Sequence, residues 1–136
     1  MNGNRTKVII DTNLWISFLI GQKSLLFVLR LLTDESITVV MTEILRSEIL
    51  NVASRPKFSK YFAPEAISRL DTFLTSRCEN YSLDAIPKRC RDPKDDYLLE
   101  LARVADADIL FTGDKDLTDM GHFGRCRIMT IADLRL

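Results

Sequence analysis

Short, continuously apolar segments alternate along the chain with segments of helical periodicity, and this alternation limits the possible folds more than any other feature. Strands without polar alternation are typical of parallel sheets, in which helices cover both faces. Such segments occur at Lys7–Asp11, Ser36–Met41, Asp108–Thr112 and Arg127–Thr130. The sequence therefore predicts an α/β fold, a three-layer α/β/α sandwich around a central parallel sheet.

Apolar residues at helical spacing and capping signals mark the segments between these strands. The stretch Asp92-Pro93-Lys94-Asp95 combines a capping aspartate with a proline in the first turn, which is typical of a helix start. An extended segment is expected at Cys78–Leu83. Helices are predicted at Leu14–Leu32 with a break near Gly21, from Thr42 to about Ala53, at Pro64–Arg77, after Asp92, and at Ile131–Leu136.

Composition is that of an ordinary globular protein. The 136 residues suit a single domain over 1–136, and 46% of them are hydrophobic. No apolar run approaches the ~20 residues of a membrane span. Because Met1–Lys7 also lacks the apolar stretch of a secretory signal, we expect a cytoplasmic protein without a membrane partner. Cys78, Cys90 and Cys126 have the spacing of neither a disulfide framework nor a zinc site.

The formal net charge is zero, with 19 basic and 19 acidic residues. A protein that binds nucleic acid purely by charge would be basic. A nucleic-acid partner therefore requires carboxylates gathered at a metal site, with the basic residues elsewhere.

Two aspartates follow predicted strands. Asp11 comes directly after the first strand, and Asp114 follows the strand at Asp108–Thr112 after one glycine. Binding sites of parallel sheets form beyond the carboxyl ends of the strands, so neighbouring strands would bring both carboxylates to one crevice. Taken alone, each aspartate is more simply explained as a turn residue or a helix cap.

Glu48 lies inside or beside the apolar side of its helix, which Leu45, Ile49 and Val52 define. A carboxylate there is unfavourable unless it is paired or bound to a metal. The alternative is a glutamate at the edge of the apolar side that reaches solvent.

A further acid is expected from the segment around Asp92. Capping explains Asp92 and Asp95, whereas Asp96 is not needed for it and lies at the helix end that would face the crevice. We therefore assign the third acid of the crevice to Asp96, with Asp92 and Asp95 as rivals. Asp116 could add a ligand, or could belong to a solvated helix start.

Such a set of acids suits divalent-cation chemistry. Hard cations such as Mg²⁺ and Mn²⁺ prefer carboxylate oxygens, and a cation relieves the repulsion between crowded carboxylates. A bound cation can also activate water and stabilise charge on a phosphoryl oxygen, without a histidine or cysteine nucleophile.

At four places the sequence resembles the PIN-domain family, and the resemblance extends from Lys7 to the end of the chain. The similar branch is that of toxin components of toxin–antitoxin systems. The residues that carry the resemblance, in order, are Val8-Ile9-Ile10-Asp11-Thr12-Asn13, Glu48 within Thr42–Ile49, Asp92-Pro93-Lys94-Asp95-Asp96, and Thr112-Gly113-Asp114-Lys115-Asp116-Leu117.

The resemblance implies a Rossmann-like sandwich and an endoribonuclease dependent on Mg²⁺ or Mn²⁺. It places the catalytic acids at Asp11, Glu48, Asp96 and Asp114, with Asp116 as a further metal ligand. Asn13 and Thr112 match polar positions that orient the acids. The choice between Asp95 and Asp96 stays open, although the spacing to Asp114 favours Asp96.

Basic residues near the acids are candidates for RNA binding, although each alone is more simply explained as a solvated surface residue. The apolar segment Leu25–Leu32 could form a protein interface. The resemblance suggests a homodimer and a small antitoxin protein as partners. The RNA-binding candidates are Lys88, Arg89, Arg91, Lys94 and Lys115.

Two other functions remain open. A metal-dependent phosphatase acting on small molecules would use the same acids without a nucleic-acid groove. A non-catalytic PIN module would bind RNA or assemble with other proteins.

Overall fold

The computed structural model describes residues 5–21, 30–89 and 92–133. The predictions for Met1–Asn4, for the part of the first helix at 22–29 that contains Leu25–Leu29, for Cys90 and Arg91, and for the last three residues lie outside these ranges.

A six-stranded sheet forms the centre of the molecule, with strand order β3-β2-β1-β4-β6-β5. All its pairs are parallel except β5 with β6. The prediction of a parallel sheet between helices is confirmed, and the antiparallel edge strand β5 is an addition that the sequence did not indicate. The strands are β1 (Thr6–Ile10), β2 (Ile37–Thr42), β3 (Glu79–Tyr81), β4 (Ile109–Phe111), β5 (His122–Phe123) and β6 (Cys126–Met129).

Helices connect the strands at the places that the periodicity predicts. Helix α1 ends at Gly21 and α2 ends before Pro56, while residues 30–33 form a further helical turn before β2. Helices α1, α2 and α3 pack in a row, and α4 packs across β1, β2 and β3. The helices are α1 (Thr12–Ile20), α2 (Glu43–Ala53), α3 (Pro64–Ser76), α4 (Asp96–Ala105) and α5 (Lys115–Thr118), with 3₁₀ turns at Pro56–Phe58, Pro93–Asp95 and Ile131–Asp133.

The core lies between the sheet and these helices. Ile9, Ile10 and Leu110 from the central strands are completely buried, as are Trp15 and Leu99 from the helices. Central strands that are apolar on both faces are what a sheet covered on two sides requires. Within the described ranges, no helix is long and apolar enough to cross a membrane.

Three of the described residues have a positive φ, and two of them shape the connections between elements. Asp106 ends α4 with φ of 56°, and Gly124 lies in the turn between β5 and β6 with φ of 58°. Aspartate and glycine are among the residues that adopt this conformation most readily. The chain can therefore turn directly from α4 toward β4, and from β5 into β6.

Candidate active site

The site lies where β1 and β4 are neighbours at the middle of the sheet. After β1 the chain passes through helices to β2, which lies on one side of β1. β4 lies on the other side of β1, so the strand order reverses between β1 and β4. Ile10 pairs with Phe111, and the Asp11 amide donates to the Phe111 carbonyl oxygen over 3.1 Å. Ligands of open parallel sheets bind beyond the carboxyl ends of the strands at such a reversal. Asp11 therefore stands at the position where this fold favours a site.

Thr112 links Asp11 to Asp114. Thr112 is completely buried, and its hydroxyl donates to Asp11 Oδ2 while accepting from the Asp114 amide over 3.0 Å. Asp11 Oδ1 also accepts from the Leu14 amide over 3.1 Å, which caps α1. Asp114 caps α5 by accepting from the Asp116 amide over 2.8 Å. Both aspartates are thus helix caps and also members of one fixed cluster.

A cavity of about 320 Å³ opens beside this cluster. A second cavity of about 330 Å³ lies on the other side of Asp11 and Asp114, next to Asn13 and Gly113. Asn13 is exposed at the rim of both cavities. The first cavity is lined by Asp11, Thr12, Asn13, Glu48, Val52, Arg55, Asp92, Lys94, Asp95, Leu98 and Asp114.

Glu48 reaches this cavity from α2. Its Oε1 accepts from the Thr12 hydroxyl and, over 3.2 Å, from the phenol of Tyr97 in the first turn of α4. Burial, followed by the negative charge of Glu48, raises the pKa of Tyr97, so the phenol stays protonated as a donor. Sequence reasoning missed both partners of Glu48. Only the position of Thr12 directly after Asp11 could have indicated the first of them.

Asp95 occupies the place that the sequence assigned to Asp96. The 3₁₀ turn Pro93–Asp95, capped by Asp92, turns Asp95 toward the cavity before the α-helix begins. Burial raises the pKa of Asp95 to about 7, and a hydrogen bond that protonated Asp95 donates to Asp114, together with the negative charges of Asp114, Asp92 and Asp11, acts in the same direction. Asp95 Oδ2 is buried and has no hydrogen-bond partner among the residues that the structure describes.

The prediction that Asp96 faces the crevice is wrong. Asp96 is buried outside the lining of the cavity, and its Oδ1 accepts from the Arg89 amide over 2.9 Å. A 3₁₀ turn has three residues per turn rather than 3.6, so helical spacing counted from Asp92 misplaces the residues that follow. Asp116 also lies outside the cavity lining, half-buried in α5.

The acids of the cavity disfavour one another's charge. Burial is the main cause that raises the pKa of Asp11, and the charges of Asp114 and Glu48 add to it, against hydrogen bonds from Thr112 and Leu14 that lower it. A bound cation would offset both the cost of burying the charged carboxylates and the repulsion between them.

Two basic residues line the same cavity, namely Arg55 and Lys94. The other basic candidates differ among themselves. Lys88 is exposed, whereas Arg89 binds Glu100 over 2.6 Å and lies over the ring of Phe123, and Lys115 pairs with Asp119 over 3.0 Å.

The acidic side chains of the cavity suit a divalent cation, although they are spread too widely to surround one as they stand. Across the described ranges, no three acidic, histidine or cysteine side chains already stand close enough to hold one metal ion. The acids of the lining nevertheless offer hard oxygen donors, and Asp95 presents a buried carboxylate oxygen without a hydrogen-bond partner in the described part of the chain. The residues present therefore fit a hard divalent cation.

Comparisons with known proteins agree with this fold. No curated protein matches the chain in sequence. A solved structure described as VapBC2 from Rickettsia felis bound to a DNA fragment from their promoter is similar in fold, with a TM-score of 0.59 and 15% identity over 90% of this chain and 97% of that chain. The family profile described as PIN domain matches residues 7–116, which include Asp11, Glu48, Asp95 and Asp114. The chain belongs to the PIN-domain family.

Proposed function

We propose that the chain is a metal-dependent endoribonuclease in which Asp11, Asp95 and Asp114 hold Mg²⁺ or Mn²⁺. The single observation that carries the proposal is the buried Oδ2 of Asp95, which has no hydrogen-bond partner among the described residues and lies in a cavity lined by these acids. A buried carboxylate oxygen without a donor is unfavourable, and a cation is the ligand that relieves it. When bound, the cation would supply an acidified water and stabilise charge on a phosphoryl oxygen.

The protein's own residues would do the rest by orientation. Thr112 fixes Asp11 relative to Asp114, because one hydroxyl contacts the side chain of the first and the backbone of the second. Glu48 lies at the cavity wall with Oε1 already occupied by two donors, so Oε2 is the oxygen left to receive a proton from the attacking water.

Arg55 and Lys94 support RNA as the substrate. They are the basic side chains in the lining of a cavity whose other charges are negative. A phosphodiester brings negative charge toward the acids, and flanking cations would hold the phosphate groups on either side of the scissile bond. The neutral overall charge makes such local placement necessary.

The test is hydrolysis of a single-stranded RNA by the purified protein with Mg²⁺, with EDTA, and with the Asp11→Asn variant. Asp71→Asn is the matched control. Asp71 lies outside the lining of the cavity and forms a salt bridge of 2.8 Å with Arg46. We expect cleavage only by the wild type and the control, and only with Mg²⁺. Equal cleavage in EDTA, or by Asp11→Asn, would contradict the proposal.

We further propose that the protein is the toxin of a toxin–antitoxin pair and that it forms a homodimer. An apolar cavity of about 450 Å³ beside α1 and α3, with Leu19, Leu70 and Phe73 in its lining, supports a protein partner. Expression of the chain should arrest growth, and expression of Asp11→Asn should not.

Light scattering of the purified protein should give the mass of two chains, and a monomer at all concentrations would contradict the homodimer.

A further inference from the structure

Two donors from different elements meet on one oxygen of Glu48. The Tyr97 phenol from α4 and the Thr12 hydroxyl from α1 both donate to Oε1. Tyr97 is only 5% exposed and Thr12 only 6%, so neither donor is readily replaced by water. Glu48 itself is half-buried and lines the cavity, which leaves Oε2 as the oxygen available there.

Tyr97 also stands two residues after Asp95, in the first turn of the helix that Asp95 precedes. Asp95 lines the cavity directly, whereas Tyr97 reaches the Glu48 side chain, which α2 contributes. The start of α4 thus places one acid itself and holds a second acid from another helix. A change in the position of α4 would move both.

A free glutamate side chain has several rotamers, and a ligand that needs one of them must overcome the loss of that freedom. Hydrogen-bond partners behind a ligating or water-holding carboxylate remove this freedom in advance.

We propose that Tyr97 is a positioning residue: with Thr12 it holds Glu48 with Oε2 toward the cavity and so raises the affinity of the cavity for a divalent cation. This inference rests on the proposed metal-dependent function. Tyr97 itself would contact neither the cation nor the RNA, because its hydroxyl already donates to Glu48 Oε1.

The experiment is a calorimetric titration of the purified protein with Mn²⁺, using wild type, Tyr97→Phe, Glu48→Gln and the double variant. The matched control is Tyr81→Phe, because the Tyr81 phenol also donates to a glutamate, Glu79, but in β3 and outside the cavity. Thr12→Val removes the other donor and serves as a second test if Tyr97→Phe folds poorly. Urea unfolding of each variant gives its stability separately.

We expect Tyr97→Phe to weaken Mn²⁺ binding about tenfold, at the lower end of the effect of such supporting partners. In the Glu48→Gln background the same substitution should cause no further loss, and Tyr81→Phe should bind like wild type. Equal affinity of Tyr97→Phe and wild type would overturn the inference and leave the proposed function standing. An equal loss in both backgrounds would also overturn it, because Tyr97 would then act without Glu48. Wild-type protein that binds no Mn²⁺ would overturn both proposals together.

Discussion

The two ends of the central sheet hold acidic residues in opposite electrostatic settings. At the amino end, Asp108 accepts from the Lys7 amide over 2.8 Å and pairs with Arg125. Arg125 also pairs with Asp106 over 3.0 Å, and Lys7 with Glu79 over 3.4 Å. At the carboxyl end, the acids lie mainly against one another, and burial, with the charges of the neighbouring acids added to it, raises the pKa of Asp11 and of Asp95. The paired acids have a basic partner that compensates their charge, whereas the crowded ones are held at a cost that a proton or a bound cation relieves.

The contrast is repeated along a single helix. Glu100 in α4 is almost fully buried, yet hydrogen bonds from Arg103 and Arg89 lower its pKa to about 2. Asp95, just before the same helix, has a pKa raised to about 7. Burial alone therefore does not decide whether an acid keeps its charge. A hydrogen-bonded basic side chain, which Glu100 has, decides it.

The largest effect expected is on catalysis, at two adjacent acids. Asp95→Asn should lower kcat/KM for RNA on the order of 1,000-fold, since it removes a charge that the cation needs. Asp96→Asn should lower it less than about tenfold, because the asparagine Oδ1 can still accept from the Arg89 amide. Steady-state kinetics on one RNA oligonucleotide would measure both. If Asp96→Asn lowered kcat/KM more than Asp95→Asn, the third acid of the site would be Asp96 and not Asp95.

The next effect is on stability at the amino end. Asp108→Ala removes the acceptor of the Lys7 amide and the partner of Arg125, and should reduce the free energy of unfolding by about 1–2 kcal/mol. Urea unfolding would measure the loss. Cleavage per folded molecule should remain that of wild type, and a loss of cleavage would show that the two ends are not separate.

A smaller effect with a pH signature is expected at the carboxyl end without metal. Because the folded pKa of Asp95 lies above its unfolded value of 3.8, the folded state binds more protons between those values. Wild-type stability should therefore fall, relative to Asp95→Asn, as pH rises from about 4 to 7. After allowance for solvent in the cavity, we expect the variant to be more stable by about 1 kcal/mol above pH 7 and equal to wild type below pH 4. Urea unfolding in EDTA across this range would test it, and a variant less stable at pH 8 would contradict it.

The smallest effect is expected at a surface pair outside both groups of acids. Lys115 is 85% exposed, and its pair with Asp119 spans one turn of helix. Lys115→Ala should change stability by less than about 0.5 kcal/mol, as is usual for exposed pairs. A larger change would mean that pairing at the surface matters as much as at the amino end of the sheet.

Much of the fold could be predicted from the sequence because buried parallel strands are apolar throughout, as Val8-Ile9-Ile10 and Ile109-Leu110-Phe111 are. The positions of Asp11 and Asp114 after these strands followed from the same pattern. The choice between Asp95 and Asp96 could not be predicted, because it depends on a 3₁₀ turn that helical periodicity does not reveal. The support of Glu48 by Tyr97 also could not, because it joins residues from two helices that only tertiary packing brings together.

Diffraction from crystals soaked in Mn²⁺, recorded with anomalous scattering, tests most directly whether the crowded acids of the cavity form a cation site. We predict an anomalous peak within coordination distance of Asp11, Asp95 and Asp114 in the cavity at the carboxyl end of the sheet. A cavity without a peak in crystals that bind Mn²⁺ elsewhere, for example at Asp106 and Asp108, would contradict the proposed site.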